Sequence, residues 1–191
     1  MQCDALILCG GRAVRMGGCD KGLMLLDGRP LVEHVLQQLR AWPIGQIMLS
    51  ANRNLPTYRS YGYPVLTDQR DDFPGPMAGI EAGLRYTQAA ALLVVPCDVP
   101  RLPADLLPQL ADVVSATEPV AYAVDAARDH PAICLVHRSQ LGELQTRLKQ
   151  GQRGLWRWQQ SVGGRAIAFD FPFLNLNTLE ALEAYGLHTH E

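Results

Sequence analysis

The run from Leu92 to Pro96 contains only apolar residues, and it constrains the fold more than any other segment of the chain. A strand with one face in water alternates apolar and polar side chains, whereas a parallel strand covered by helices on both faces is apolar throughout. The run therefore predicts a buried parallel strand. Apolar residues at helical spacing in 77–88 and 103–115 predict the helices that connect it to neighbouring strands.

The same alternation of strands and helices extends over the whole chain. Short apolar or alternating runs predict further strands at 4–8, 46–50, 64–67, 119–124, 132–137 and 165–169. Helical spacing predicts helices at 30–41, 139–150, 153–161 and 178–185. We expect one α/β domain over residues 1–191, with a mostly parallel central sheet and helices on both faces.

Charge and composition exclude several classes of protein. The net charge is −2 and no block of Lys and Arg is present, which argues against a nucleic-acid partner. The chain has no basic leader and no apolar run near the ~18 residues of a membrane span, so the prediction is a cytoplasmic protein without a membrane partner. Five cysteines without a C-x-x-C pair predict reduced, mostly buried thiols.

A glycine-rich segment follows the first predicted strand, from Leu8 to Lys21. Glycines let backbone N–H groups approach a triphosphate closely, and Arg15 and Lys21 can neutralise charge on a departing pyrophosphate. The spacing is neither that of a Walker A loop nor G-x-G-x-x-G. A solvated turn with incidental basic residues is the alternative, but the segment as a whole favours a phosphate-binding loop with Arg15 and Lys21 as catalytic residues.

Asp98 comes directly after the apolar run 92–96, where open α/β sheets bind their ligands. Mg²⁺ prefers one or two protein carboxylates together with phosphate oxygens and water. Asp98 is therefore the predicted catalytic magnesium ligand, and a turn-forming aspartate is the alternative.

The pattern Leu-x-Gly-Gly-x-x-x-Arg-Met-Gly-Gly-x-Asp-Lys-Gly-Leu, which runs from Leu8 to Leu23, resembles the molybdenum cofactor guanylyltransferases. The resemblance continues through 50–53, 75–79, 96–98, 128–131 and 175–178, and so covers nearly the whole chain. It implies a Rossmann-like nucleotidyltransferase fold and Mg²⁺-dependent transfer of GMP from GTP to molybdopterin. Other molybdenum cofactor biosynthesis proteins and apo-molybdoenzymes are the further partners that it implies.

The resemblance also assigns site residues. The nucleotide would contact the loop backbone, including a backbone N–H of Cys9, which replaces the family's usual alanine. Ser50, where the family can have asparagine, and Asp68 would meet the guanosine, with a turn-forming Asp68 as the alternative. The implied nucleotide-binding residues are Leu8, Cys9, Gly10, Gly11, Gly18, Lys21, Ser50, Asp68, Gly79 and Asp98.

Residues 1–117 would form the nucleotide-binding half and residues 118–191 the acceptor-binding half. The implied acceptor-binding residues are His130, Arg153, Asn175 and Asn177. For His130 a structural role is the alternative, and for Asn177 it is a capping box with Glu180. Trp156 and Trp158 could stack on a pterin, although at least one of them is expected in the core.

The predicted mechanism is in-line attack of an acceptor phosphate oxygen on the α-phosphorus of GTP. The attacking phosphate is already ionised, so no general base is required. Two alternatives stay open: a cytidylyltransferase or sugar-phosphate nucleotidyltransferase of similar fold, and a noncatalytic carrier of nucleotide or cofactor.

Overall fold

The computed structural model describes residues 1–9, 20–68 and 75–176. The strands in these ranges are β1 (Cys3–Leu8), β2 (Leu25–Leu26), β3 (Arg29–Pro30), β4 (Ile47–Ser50), β5 (Val65–Leu66), β6 (Ala91–Pro96), β7 (Val120–Val124), β8 (Asp129–His137) and β9 (Arg165–Ala168). The α-helices are α1 (Leu31–Arg40), α2 (Leu55–Ser60), α3 (Pro76–Tyr86), α4 (Leu106–Ala111), α5 (Leu141–Lys149) and α6 (Leu155–Ser161). Short 3₁₀ helices span Lys21–Leu23 and Arg138–Gln140.

Seven strands form one sheet in the order β5-β4-β1-β6-β8-β7-β9. The first four are parallel, β8 is antiparallel to both β6 and β7, and β9 is parallel to β7. Every strand except β8 therefore ends at the same edge of the sheet, and β8 begins there. The predicted mostly parallel sheet is confirmed.

The central strand β1 is buried along its whole length. Ala5 and Ile7 belong to a core that includes Val35 and Leu36 of α1, whereas Leu6 and Leu8 belong to a core with residues of α3. Alternate side chains point to opposite faces of a strand, so helices cover both faces of the sheet. This confirms the predicted layers and explains why the central strands carry no polar face.

Two elements, α4 and β8, differ from their predicted bounds by three residues or more at one end. Helix α4 is shorter than the predicted 103–115, because Pro108 has no N–H and fits the first turn of a helix. Strand β8 begins at Asp129 and is therefore longer than the predicted 132–137. Its register against β7 shifts between Tyr122 and Ala123, and pairing continues beyond the shift as far as Asp129. That irregularity accommodates Pro131, which cannot donate to the ladder.

The hairpin β2–β3, helix α2 and the 3₁₀ helix Lys21–Leu23 are absent from the predictions, because they are too short to show a period. The predicted helix at 178–185 and the glycine loop from Gly10 onward lie outside the described residues.

The cysteines in the described ranges are buried and free, as predicted: Cys3, Cys9, Cys97 and Cys134. Burial raises the pKa of the Cys134 thiol to about 12, so it stays protonated near neutral pH. Cys19 lies outside the described residues. None of the described helices is long and apolar enough to cross a membrane.

Helix α3 packs closely against the sheet at Gly83, and a substitution there tests this contact. A Cβ atom at Gly83 would lie 2.7 Å from Leu92 Cδ2 and 3.0 Å from Leu6 Cδ2, and both leucines are fully buried. We expect Gly83→Val to lower the free energy of unfolding by about 1–3 kcal/mol, because overpacking displaces well-packed side chains. Gly142→Val in α5 is the matched control, since a Cβ there meets no atom within 4 Å. Urea unfolding would measure both; equal midpoints would contradict the packing described.

Candidate active site

A cavity of about 350 Å³ opens at the sheet edge where β1, β4, β5 and β6 end. Its lining includes the predicted nucleotide-binding residues Leu8, Cys9, Lys21, Ser50, Asp68, Gly79 and Asp98. These residues are up to 90 positions apart in sequence and come together because parallel strands end at one edge. Gly10, Gly11, Arg15 and Gly18 lie outside the described residues.

The first turns of α3 form one wall of the cavity through Gly75, Pro76 and Gly79. A Cβ atom at Gly79 would lie 2.6 Å from Ser50 Oγ and 2.9 Å from Leu8 Cδ2. The glycine therefore permits close contact between the helix and the ends of β1 and β4. The N-terminus of α3, with its positive end of the helix dipole, lies at the cavity and favours an anionic ligand.

Asp98 follows β6, as predicted, and also lines the cavity. Its side chain is 10% exposed, and Lys21 Nζ lies 3.4 Å from Oδ2. Asn175 Nδ2 donates to Oδ1 at 3.3 Å, and the backbone N–H of Leu176 donates to the Asp98 carbonyl at 2.8 Å. The carboxylate is thus held between the ammonium of Lys21 and the side-chain amide of Asn175.

Lys21 is positioned by the residue that precedes it. Asp20 is buried and accepts hydrogen bonds from the Tyr58 hydroxyl (2.6 Å), Asn54 Nδ2 (2.9 Å) and the backbone N–H of Gly22 (3.2 Å). Burial raises the pKa of Tyr58 far above its usual range, so the phenol is a neutral donor. Asp20 and Tyr58 were missed from sequence, because α2 shows no periodic pattern.

Asp68 and Asn52 form a two-point contact on the far side of the cavity. Asn52 Nδ2 donates to Asp68 Oδ2, and the backbone N–H of Asp68 donates to Asn52 Oδ1, both at 2.8 Å. The other oxygen, Oδ1 of Asp68, is buried and has no hydrogen-bond partner among the described residues. Burial raises the pKa of this carboxyl, although the Asn52 contact opposes the shift.

Cys9 departs from the prediction in one respect. Its backbone N–H donates to the Ser50 carbonyl at 2.9 Å, so the sheet already uses the donor that was expected to bind the nucleotide. The thiol lines the cavity, but burial and a hydrogen bond with Cys97 raise its pKa well above the usual range. The Cys9 thiol is therefore protonated and neutral, and Cys9 lines the cavity without acting as a nucleophile.

On the acceptor side, His130 is buried. Its Nε2 lies 2.8 Å from Asp125 Oδ2, and its ring packs against Phe173 with the centroids 5.0 Å apart. These are the contacts of the structural alternative. Arg153 is exposed before α6, and Asn177 lies outside the described residues. Trp158 is buried as expected of a core residue, whereas the exposed Trp156 donates from Nε1 to Asp129 at 2.8 Å.

Solved structures of nucleotidyltransferases share this fold. A structure named molybdopterin-guanine dinucleotide biosynthesis protein A, from Archaeoglobus fulgidus, has a TM-score of 0.80, 21% identity and 98% coverage of each chain. A 4-diphosphocytidyl-2C-methyl-D-erythritol synthase from Anaerococcus prevotii has a TM-score of 0.77 and 10% identity, covering 100% of this chain and 96% of its own. At these identities the likeness shows the fold alone, and proteins named for guanine and for cytosine share it.

The amino-acid sequence of this chain is similar to those of known nucleotidyltransferases. Residues 5–166 match the family described as the MobA-like NTP transferase domain, which places this chain in the class of nucleotidyltransferases. A molybdenum cofactor guanylyltransferase from Cupriavidus pinatubonensis is 42% identical over 188 residues, covering 94% of each chain. The chain belongs to the family of molybdenum cofactor guanylyltransferases, which confirms the resemblance predicted from sequence.

The contribution of Asp125 to the free energy of unfolding should depend on pH. Burial would raise its pKa, but hydrogen bonds from the N–H groups of Phe173, Ala127 and Arg128 and from His130 outweigh burial and hold the pKa well below its usual range. The stabilisation is therefore present above the unfolded pKa of about 3.9 and lost as the pH falls below it. We expect Asp125→Asn to cost about 1–3 kcal/mol of unfolding free energy at pH 7, and less in acid. Chemical unfolding at pH 7 and pH 3 would measure this, with the exposed Asp112→Asn as control; a cost independent of pH would contradict it.

Proposed function

We propose that this chain transfers GMP from GTP to molybdopterin, releasing pyrophosphate and forming the guanine dinucleotide of the cofactor. The observation that carries the proposal is Asp68, which lines the nucleotide cavity and has one oxygen, Oδ1, that is buried without a hydrogen-bond partner among the described residues. The names of the relatives and the cavity shared by seven predicted residues support the same reaction.

Guanine fits this carboxylate better than the other bases do. Its N1–H and exocyclic amine are adjacent donors, whereas adenine and cytosine place a ring-nitrogen acceptor beside their amine. A buried acceptor facing an acceptor would be left unpaired, at a cost of about 1–3 kcal/mol. Asn52 occupies Oδ2 and fixes the carboxylate, so Oδ1 is the oxygen left for the base.

The donor set at Asp98 fits Mg²⁺. In the described part of the chain, no three His, Cys, Asp or Glu side chains are close enough to hold a metal by themselves. An ion at Asp98 would therefore need triphosphate oxygens and water to complete its shell, which is the coordination that Mg²⁺ prefers. Bound there, Mg²⁺ would neutralise charge on the triphosphate.

Lys21 and Asp98 act together in the proposed mechanism. In the free protein the ammonium of Lys21 balances the carboxylate of Asp98, and the triphosphate would draw Lys21 toward the departing pyrophosphate. Arg15 is proposed to assist there. The attacking oxygen belongs to an acceptor phosphate that is already ionised, so the side chains orient the reactants and need not remove a proton.

The two halves have separate proposed roles. Residues 1–117 would hold GTP, and residues 118–191 would hold molybdopterin through Arg153, Asn175 and Asn177. His130 would support this half through Asp125 and Phe173. We place the reaction in the cytoplasm, with other molybdenum cofactor biosynthesis proteins and apo-molybdoenzymes as further partners.

A cytidylyltransferase or sugar-phosphate nucleotidyltransferase is the competing function, because the fold does not select the base. Pyrophosphate release from GTP and from CTP, each with molybdopterin and Mg²⁺, separates these functions. Binding of GTP without release of pyrophosphate would instead identify a noncatalytic carrier.

The first functional prediction concerns Asp98. We expect Asp98→Ala to lower kcat at least about a hundredfold in the pyrophosphate assay, because the proposed magnesium ligand is lost. The melting temperature should change by only a few degrees, since the backbone carbonyl of Asp98 still accepts from Leu176. Asp112→Ala, an exposed carboxylate on the surface, is the control. Wild-type rates for Asp98→Ala would remove this carboxylate from the mechanism.

The second prediction concerns the choice of base. Asp68→Asn turns one acceptor into a donor that faces a donor of guanine. We expect the ratio of kcat/KM for GTP to that for CTP to fall about 5- to 150-fold, which corresponds to about 1–3 kcal/mol of mispaired polar groups. Steady-state kinetics with molybdopterin as acceptor would measure it, with Asp105→Asn on the surface as control. An unchanged ratio would mean that guanine is recognised elsewhere.

A further inference from the structure

Arg128 lies next to the network that Asp98 forms with Lys21 and Asn175. Its Nη2 donates to Asn175 Oδ1, and Asn175 Nδ2 donates in turn to Asp98 Oδ1 at 3.3 Å. Within residues 1–9, 20–68 and 75–176, no Asp or Glu lies at ion-pair distance from this guanidinium. The positive charge of an exposed arginine is therefore held beside the site by a neutral amide.

The backbone around Arg128 is fixed. Asp125 Oδ1 accepts from the N–H groups of Ala127 and Arg128 at 2.9 Å, and the N–H of Asp125 donates to the Arg128 carbonyl at 3.0 Å. Asp125 Oδ2 accepts from the backbone N–H of Phe173 at 3.0 Å, two residues before Asn175. One carboxylate thus ties the turn that carries Arg128 to the segment that carries Asn175.

The two cations of the network lie at its two ends. Lys21 contacts Oδ2 of Asp98, whereas Asn175 and, through it, Arg128 are on the Oδ1 side. An in-line transfer needs positive charge in two places, on the leaving pyrophosphate and on the attacking phosphate, and these lie on opposite sides of the α-phosphorus. The guanidinium has five N–H donors, so several remain for a phosphate after the bond to Asn175.

We propose that Arg128 binds the attacking phosphate monoester of the acceptor and holds one of its oxygens toward the α-phosphorus of the bound nucleotide. This inference rests on the proposed function and adds to it the residue that recognises the nucleophile. The acceptor oxygen forms a bond to the α-phosphorus while the bond from that phosphorus to the bridging oxygen breaks. The electron pair of the broken bond leaves with pyrophosphate.

A purely structural role for Arg128 would have a different signature. If the guanidinium only oriented Asn175, its loss would act through Asp98 on the Mg²⁺-bound nucleotide. Because Asn175 is also a proposed acceptor-binding residue, affinity for GTP and affinity for a phosphate at the acceptor position would then fall together.

The test uses Arg128→Ala and Arg128→Lys, with Arg138→Ala as the matched control. Arg138 is an exposed arginine in the 3₁₀ helix at the other end of β8. Ligand-observed NMR would measure the Kd of phenyl phosphate for protein saturated with Mg²⁺ and a non-hydrolysable GTP analogue, which keeps the probe out of the nucleotide cavity. Initial rates would give KM for GTP and for molybdopterin.

We expect Arg128→Ala to raise the Kd of phenyl phosphate and the KM of molybdopterin by about 10- to 100-fold, because a charge-assisted, forked contact is lost. Arg128→Lys should lie between wild type and Arg128→Ala, and Arg138→Ala should match wild type. The KM for GTP should change less than about twofold in all three variants.

Three results would overturn the assignment of Arg128: phenyl phosphate that binds wild type and Arg128→Ala equally, phenyl phosphate that does not bind wild type, or a loss of affinity for GTP as large as the loss for phenyl phosphate. Failure of the proposed function gives a different result, namely no pyrophosphate from GTP and molybdopterin with the wild-type protein. The NMR measurement decides the role of Arg128 in that case as well.

Discussion

One oxygen of Asp98 faces the ammonium of Lys21 at 3.4 Å, the other accepts from Asn175, and the Asp98 carbonyl accepts from Leu176. These contacts join the segment after the glycine loop, the end of β6 and the segment after β9. A nearly buried carboxylate needs such partners, because an unpaired charge out of water is strongly destabilising. Asp98 thus links these three segments of the chain at one point.

Two carboxylates in the same cavity differ in chemistry because their neighbours differ. Asp98 has a lysine beside it, whereas Asp68 has a neutral amide on one oxygen and, on the other side, a buried oxygen without a hydrogen-bond partner in the described part of the chain. Burial disfavours the charged form of Asp68 and raises its pKa. In the proposed function, these separate environments would let one cavity bind the phosphates near Asp98 and recognise the base at Asp68.

The sequence predicted the sheet well, and the site in part. The central strands β1, β4 and β6 match within about one residue, because burial on both faces leaves an apolar run that sequence shows directly. Asp98 could be predicted from its place after such a run, and Asp68 from the family resemblance.

Four other residues of the site and its surroundings could not be predicted, because their roles depend on contacts between residues 38 to 48 positions apart in sequence. These residues are Asp20, Tyr58, Asp125 and Arg128. No local period or spacing records such contacts. Pro131 shows the same limit, since the irregular register that accommodates it depends on the partner strand.

The reversal of direction at β8 has a geometric consequence. Because β8 is antiparallel to β6 and β7, its first residues lie at the edge where those strands end. Neighbouring strands are about 4.8 Å apart, so the ends of β6 and β7 are separated by two ladder spacings, about 10 Å. A span of this size is set by backbone hydrogen bonds and not by a hinge between domains. Loops on either side can therefore change length or sequence while the distance between the ends of β6 and β7, and so between the two proposed binding regions, stays the same.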